Sequence, residues 1–334
     1  MTKYAESVSA VRLSAIALAA LVLTGCATSR RIQDGGTLSA ETVCEFSRDE
    51  RPEGFSGISR IEGNRYFCVD DRGGLLHEVE IVLDENGDDG ACRVIRSIPL
   101  EGRRDLEGCA VDPLDGRVWV SDEWDTSIRQ FDPRTGRQTG QVSVPAVYRE
   151  NVVGNRSLEG LAISPDGLRM YVANEDTLKC DGSLSGPGRG GLVRIQEFVR
   201  KGGGEPWSPS RQFLYATEKV EGSAYSGVAI SGVSALCALG DGTLLVLERE
   251  MSQKNPLFPT FMARLFSVSL DAASGERLPK RAVWCENTMF SNYEGICFGP
   301  DLKNGARSLV LVSDGGGEAE ERIQVLSLRS ATEM

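Results

Sequence analysis

The stretch Leu158-Glu159-Gly160-Leu161-Ala162-Ile163-Ser164-Pro165-Asp166-Gly167-Leu168-Arg169-Met170-Tyr171-Val172-Ala173-Asn174 decides the fold. Two apolar runs flank Pro-Asp-Gly, and Asp-Gly between apolar runs is a strong hairpin signal. Four other segments align with its opening: Ser56-Gly57-Ile58-Ser59, Glu107-Gly108-Cys109-Ala110, Ser234-Ala235-Leu236-Cys237 and Glu294-Gly295-Ile296-Cys297. Each opens a short apolar strand that meets a turn, most clearly Asp112-Pro113-Leu114-Asp115-Gly116 and Gly240-Asp241-Gly242. A second strand follows in every repeat, and two residues beyond its Val stands a polar residue. The five instances are Val69 to Asp71, Val120 to Asp122, Val172 to Asn174, Val246 to Glu248 and Val312 to Asp314. First and second markers are 15, 15, 15, 14 and 20 residues apart, the last lengthened by a turn at 301–306.

Third strands read at 75–82, 127–132, 191–198, 263–270 and 322–328, and fourth strands at 93–99 and 211–218. Four antiparallel strands in a unit of about 50 residues describe a blade of a β-propeller. The sequence therefore predicts an all-β fold with five four-stranded antiparallel blades; a degenerate sixth blade is the alternative. The last repeat ends after its third strand, so residues 37–47 are expected to supply its outer strand and close the ring. A β-sandwich with coincidental turns does not account for the five-fold register.

Composition agrees. Of 334 residues, 40% are hydrophobic and 25% charged, which is globular. Aromatics are only 7% against 38 glycines, which suits short strands joined by turns. The net charge of −11 argues against nucleic acid as a partner, because such binding needs a cationic face. His77 is the single histidine, which excludes a multi-histidine metal centre.

The first 25 residues read as a signal peptide, with Lys3 and Arg12 ahead of an apolar run at 13–23. That run is too short for a membrane span. Its ending, Leu23-Thr24-Gly25-Cys26, resembles a bacterial lipobox, which implies cleavage before Cys26 and a diacylglycerol on its sulfur. Residues 26–37 then form a lipidated tether and 38–330 the propeller. With Ala27 after the cysteine, the expected location is the cell envelope, as an outer-membrane lipoprotein facing the periplasm or the cell surface. The expected partners are this membrane, through the lipid, and a small substrate; the chain is expected to be a monomer. Eight cysteines remain after Cys26, an even number that permits disulfides in an exported chain but allows 105 pairings. Cys109, Cys237 and Cys297 lie in apolar strand patterns and read as core.

Strands one and two of a blade are antiparallel, so residues about 15 apart face each other at one mouth of the central channel. This pairs Ser56 with Asp71, Glu107 with Asp122, Glu159 with Asn174, Ser234 with Glu248 and Glu294 with Asp314. An acidic ring of this kind repels itself unless a cation or protons intervene. Oxygen ligands without histidine suit Ca²⁺ or Mg²⁺. Arg104, Arg156 and Arg249 approach the same face, as does Arg72. Asp or Asn at a strand end can equally cap its own turn, and Glu beside Arg can be a structural ion pair. Two long loops, 176–190 and 250–260, leave from this face, the second carrying Pro256, Phe258 and Pro259. The run Asp84 to Gly90 starts like an EF-hand loop but lacks the glycine at its sixth position and reads as a solvated turn.

Asn155-Arg156-Ser157-Leu158-Glu159-Gly160 through Pro165-Asp166-Gly167 to Met170-Tyr171-Val172-Ala173-Asn174-Glu175 resembles the phytase-like domain family, also called esterase-like activity of phytase. Gly232-Val233-Ser234-Ala235-Leu236 with Asp241 to Arg249, Glu294-Gly295 with Leu311-Val312-Ser313-Asp314, and Gly54-Phe55-Ser56-Gly57 with Val69-Asp70-Asp71 are similar to further blades of that family. The likeness spans roughly residues 50–328. It implies a secreted or periplasmic propeller related to calcium-dependent propeller phytases, and a phosphoester or ester hydrolase.

Two functions follow. In the first, Ca²⁺ is held by Glu107, Glu159, Glu294, Asp71, Asp122 and Asp314. Arg104, Arg156 and Arg249 then hold an anionic phosphoester or ester, and Glu248 takes the proton. In the second, the chain is a non-catalytic envelope propeller binding a protein, glycan or metal. A sugar-lactone hydrolase is a lesser alternative.

Overall fold

The computed structural model describes residues 41–46, 54–102, 105–222, 229–252, 260–288, 291–314 and 322–328. Five four-stranded antiparallel sheets surround one axis. The first strand, β1 (Glu41–Glu45), belongs to the last blade. Blade 1 is β2 (Phe55–Glu62), β3 (Arg65–Asp70), β4 (Leu75–Leu83) and β5 (Gly90–Pro99). Blade 2 is β6 (Leu106–Val111), β7 (Val118–Asp122), β8 (Ser127–Phe131) and β9 (Gln138–Val142). A one-and-a-half-turn helix, α1 (Ala146–Asn151), leads to blade 3, and its Tyr148 is buried between blades. Blade 3 is β10 (Leu158–Ile163), β11 (Arg169–Asn174), β12 (Leu192–Val199) and β13 (Ser208–Ala216). Blade 4 is β14 (Ala229–Ala238), β15 (Thr243–Ser252), β16 (Thr260–Ser269) and β17 (Lys280–Thr288). Blade 5 is β18 (Asn292–Asp301), β19 (Arg307–Asp314), β20 (Arg322–Leu328) and, on its outside, β1, so the ring closes through the N-terminal strand as the sequence predicts. The fold is thus the five-bladed propeller expected from the repeats.

The core lies between blades rather than within them. One apolar layer joins blades 3 and 4 through Tyr171, Phe213, Val233 and Val246. Another joins blade 5 and β1 to blade 1 through Val43, Tyr66, Ile81 and Val312. Similar layers fill the other three interfaces. Inner and second strands are therefore covered on both faces, which is why β7, the second strand of blade 2, is buried at every position and the sequence shows apolar runs instead of alternation.

The pairing differs from the expected register by one residue in blades 2, 3 and 4 and by two in blades 1 and 5. Leu106, not Glu107, stands opposite Asp122, and Leu158, not Glu159, opposite Asn174. Val233, not Ser234, faces Glu248, and Tyr293 faces Ser313. In blade 1, Phe55 faces Asp70. In every blade the first marker sits at a β-bulge, where two residues on the inner strand oppose one on its neighbour. The extra residue leaves the ladder and is re-aimed.

The glycine that follows four of the markers has a steric cause. A Cβ on Gly57 would stand 2.4 Å from the Glu107 carbonyl oxygen of the next blade. One on Gly108 would stand 2.6 Å from the Glu159 carbonyl oxygen. Gly160 meets the backbone of Ala235, and Gly295 meets that of Gly57 and Ile58; at the junction of blades 4 and 5 the equivalent residue is Ala235. Hydroxyls tie the same strands together: Ser56 donates to the Leu106 carbonyl at 2.5 Å and Ser121 to the Glu159 carbonyl at 2.7 Å.

Gly108→Ala should cost about 1–3 kcal/mol, the usual penalty for overpacking, seen as a lower urea midpoint. Gly202→Ala, where added Cβ meets nothing within 4 Å, should leave the midpoint near wild type. Equal midpoints for the two variants would refute close inner-strand contact as the constraint.

Candidate functional site

The five bulges surround a cavity of about 400 Å³ at the mouth where the second strands end. Its lining holds eight carboxylates, from Asp71, Asp105, Glu107, Glu123, Glu159, Glu175, Glu294 and Asp314, against two guanidinium groups, Arg156 and Arg249. Glu107, Glu159 and Glu294 are the bulged residues themselves, so the bulge turns their side chains from the ladder toward the axis. Glu123 and Glu175 come one residue after the second-strand markers of blades 2 and 3.

Arg249 lies between two of these acids. Its Nη2 donates to Glu175 Oε1 at 2.5 Å and its Nη1 to Glu294 Oε1, which also accepts from Asn292. Arg156 donates to Asp176 at 2.7 Å. Glu123 accepts from the Ser157 backbone N–H at 2.7 Å. At the rim, Arg72 bridges Asp314 at 3.5 Å and Asp71 at 3.6 Å, linking blades 5 and 1. The remaining acids have less compensation. Glu159 Oε2 and Glu294 Oε2 are buried without a hydrogen-bond partner.

One carboxylate oxygen each from Asp105, Glu107 and Glu123 lie within 4.8 Å of one another, and so do one each from Glu123, Glu159 and Glu175. The two groups share Glu123. Burial raises the proton affinity of six of the lining acids, Asp105 among them. It lifts Glu123 to about 8, helped by the charge of Glu175, and Glu294 to about 7 in spite of Arg249. Asp71 rises to about 6 through burial and the nearby Asp314. Glu107 and Glu159 are pushed well above the ordinary carboxylate range by burial and then by neighbouring acids, Glu294 for the first and Glu107 for the second. Such a site holds protons at neutral pH or exchanges them for a cation. All its anionic donors are hard oxygens, which fits Ca²⁺ or Mg²⁺ and not a soft metal.

Of the residues singled out in the sequence, Glu107, Glu159, Glu294, Asp71, Asp314, Arg156 and Arg249 come together at this cavity. Asp122 and Glu248 do not. Asp122 pairs with Arg129 at 3.1 Å and accepts from the Trp124 N–H, so it is a turn cap and ion-pair partner. Glu248 is fully buried away from the axis, accepting from Tyr215 Oη at 2.6 Å, Lys280 Nζ at 2.7 Å and the Glu218 N–H at 2.8 Å. Assigning Asp122 to a metal and Glu248 to proton transfer is corrected accordingly. Strand side chains alternate, so the neighbours Glu123 and Arg249 take the inward positions. Asp105, Glu123 and Glu175 are the functional candidates that the sequence reading missed; Glu123 and Glu175 were signalled only by following a second-strand marker, and Asp105 stands two residues before Glu107. Residues 176–190 do not line the cavity; Asp176 pins that loop by accepting from the Ser185 N–H and hydroxyl. Arg104, Cys26, and Pro256, Phe258 and Pro259 lie outside the described residues.

A family model described as "Phytase-like: Esterase-like activity of phytase" matches residues 51–315. No curated protein matches the sequence. Among solved structures, a PQQ-bound aldose sugar dehydrogenase from Streptomyces coelicolor is similar at 14% identity and a TM-score of 0.43, covering 88% of this chain and 99% of that one. Glutaminyl cyclase from Myxococcus xanthus is similar at 10% identity and a TM-score of 0.42, covering 89% and 100%. Hydrazine synthase from Kuenenia stuttgartiensis is similar at 14% identity and a TM-score of 0.39, covering 90% and 67%.

The raised carboxyl groups bind protons more tightly folded than unfolded. Their contribution to stability is therefore present at low pH and lost as pH rises from the ordinary carboxylate range through about 6 for Asp71, 7 for Glu294 and 8 for Glu123. In EDTA the melting temperature should fall across this window, and added Ca²⁺ should raise it more at its upper end than its lower end. A calcium response that does not grow with pH would contradict cation–proton exchange at this cavity.

Proposed function

Because this chain belongs to the phytase-like family, we propose that its acidic mouth is a divalent-cation site serving hydrolysis of phosphoester or carboxyl-ester substrates. The observation that carries this reading is the pair of three-carboxylate groups sharing Glu123, beside an unpartnered buried oxygen on Glu159. Asp105, Glu107, Glu123, Glu159 and Glu175 would hold the cation, with Ca²⁺ favoured for its tolerance of many carboxylate oxygens. When bound, it would polarise the substrate's phosphoryl or acyl oxygen and lower the pKa of a water.

The chain's own groups divide the other tasks. Glu294, which is not one of the cation's holders and has one buried carboxylate oxygen without a hydrogen-bond partner, would accept or return the proton. Arg156, at the rim with a side chain 25% exposed, would orient an anionic group. Arg249 is engaged by Glu175 and Glu294, so its role is to position those carboxylates. The proposal includes the exported setting read from the N-terminal residues: a monomer anchored to the outer membrane through lipidated Cys26.

One observation favours the non-catalytic alternative. Both guanidinium groups of the cavity are already ion-paired, which leaves a mouth better suited to cations than to free anions. A structural or carrier cation site would look the same.

Phosphate release from phytate and from an aryl phosphate, in Ca²⁺ and in EDTA, tests the proposal, with acetate release from an aryl acetate covering the carboxyl-ester class. Activity should require Ca²⁺. Glu159→Gln should lower kcat/KM about a hundredfold, equivalent to ~3 kcal/mol of transition-state stabilisation. Calcium binding by calorimetry without turnover of any of these substrates would replace the hydrolase with a cation-binding propeller.

A further inference from the structure

We propose that Cys44 and Cys92 form a disulfide that locks the propeller ring, a covalent link independent of the acidic mouth and its chemistry. Cys44 lies on β1, the short outer strand that closes blade 5, and Cys92 on β5, the outer strand of blade 1. These two strands pack against each other across the closure. Both cysteines border the same apolar layer, with Val43, Ile81 and Val325, and the Cys44 and Cys92 side chains are hydrogen-bonding neighbours. Two thiols that neighbour each other on packed outer strands are placed for a bridge, which asks for Cβ atoms about 3.5–4.5 Å apart.

Of the other six described cysteines, Cys180 is exposed beside Arg194 and Cys285 is partly exposed opposite Arg264, and four offer a contrast. Cys68, Cys109, Cys237 and Cys297 are buried on inner or second strands, where they serve as small apolar residues. Cys109 donates to the Phe67 carbonyl at 3.6 Å. Cys44 and Cys92 are both partly exposed, so an exchanging partner can reach them.

The position also gives the bond a task. β1 has five residues and is paired on one side by β20, with its register broken between Thr42 and Cys44. It is the weakest-held strand of the closing blade, yet the ring depends on it. A bond to blade 1 fixes it to the far side of the seam and encloses β2, β3 and β4 in a covalent loop.

The chemistry balances through thiol–disulfide exchange with a protein or small-molecule disulfide. One cysteine thiolate attacks the carrier disulfide and expels a thiolate. The second cysteine then attacks the mixed disulfide, the Sγ–Sγ bond forms, and the carrier leaves fully reduced. The carrier takes up the two electrons, and the protons of the two cysteines end on its two thiols.

The test uses the full chain, equilibrated with oxidised glutathione, then alkylated and mapped without reduction. A linked peptide pair containing Cys44 and Cys92, with two fewer alkylated thiols per chain and a mass lower by two hydrogens, is expected. Reductant should lower the melting temperature of wild type by several degrees. Cys92→Ser should melt near reduced wild type and not respond to reductant. Alkylation of both Cys44 and Cys92 after oxidation, or linkage of either to another cysteine, would overturn the proposal. The peptide map on wild type decides it even if the variant fails to fold.

Discussion

Five inner strands pass close to one axis, and at four of their five junctions a methyl group does not fit between them. Gly57, Gly108, Gly160 and Gly295 each lie against the backbone of the next blade. The rest of the molecule is arranged to permit this approach. Each inner strand carries a bulge at the contact, and the bulge takes one side chain out of the ladder. Blades radiate from the contact, and their broad faces meet in the five apolar layers. The glycine that makes the packing possible and the acid that makes the site therefore occupy consecutive positions for one reason.

The same constraint creates the electrostatic problem at the mouth. Acids released by the bulges line one cavity of about 400 Å³ together. Of the eight carboxylates, Glu175 and Glu294 share Arg249, and Asp71 and Asp314 share Arg72, whereas Arg156 is taken by Asp176. Fully ionised, the set would be strongly destabilising. Partial protonation is one answer, visible in the raised proton affinities of Glu107, Glu123 and Glu159. A divalent cation is the other. A protein that keeps such a cluster accepts a standing cost in stability, which points to a use for the cluster.

Away from the axis, buried charges are treated differently. Arg200 forms a two-pronged pair with Asp112 across blades 2 and 3 at 2.7 and 2.6 Å, and its guanidinium lies over Trp207. Glu248 is surrounded by Tyr215, Lys280 and a backbone N–H. These groups are satisfied by the chain itself and need nothing from solution. The contrast separates structural ion pairs from the unsatisfied acids of the cavity.

The sequence by itself determined the fold. Repeated hairpin turns, five marker pairs and a missing last strand specify a propeller of at least five blades and its closure by residues near Cys44, because turn chemistry and apolar runs are local properties; the five sheets of the structure settled the count. It also determined that Glu107, Glu159 and Glu294 belong at one mouth, since their place in the repeat is the same. Only the tertiary structure decided which residues of the second strands join them. An even ladder puts Asp122 and Glu248 at the channel, whereas the bulges shift the register by one and the alternation of side chains then presents Glu123, Glu175 and Arg249. A bulge leaves little local trace here. Its cause is the approach of a strand some fifty residues away, as Gly57 against Glu107 shows, and no local pattern encodes that distance.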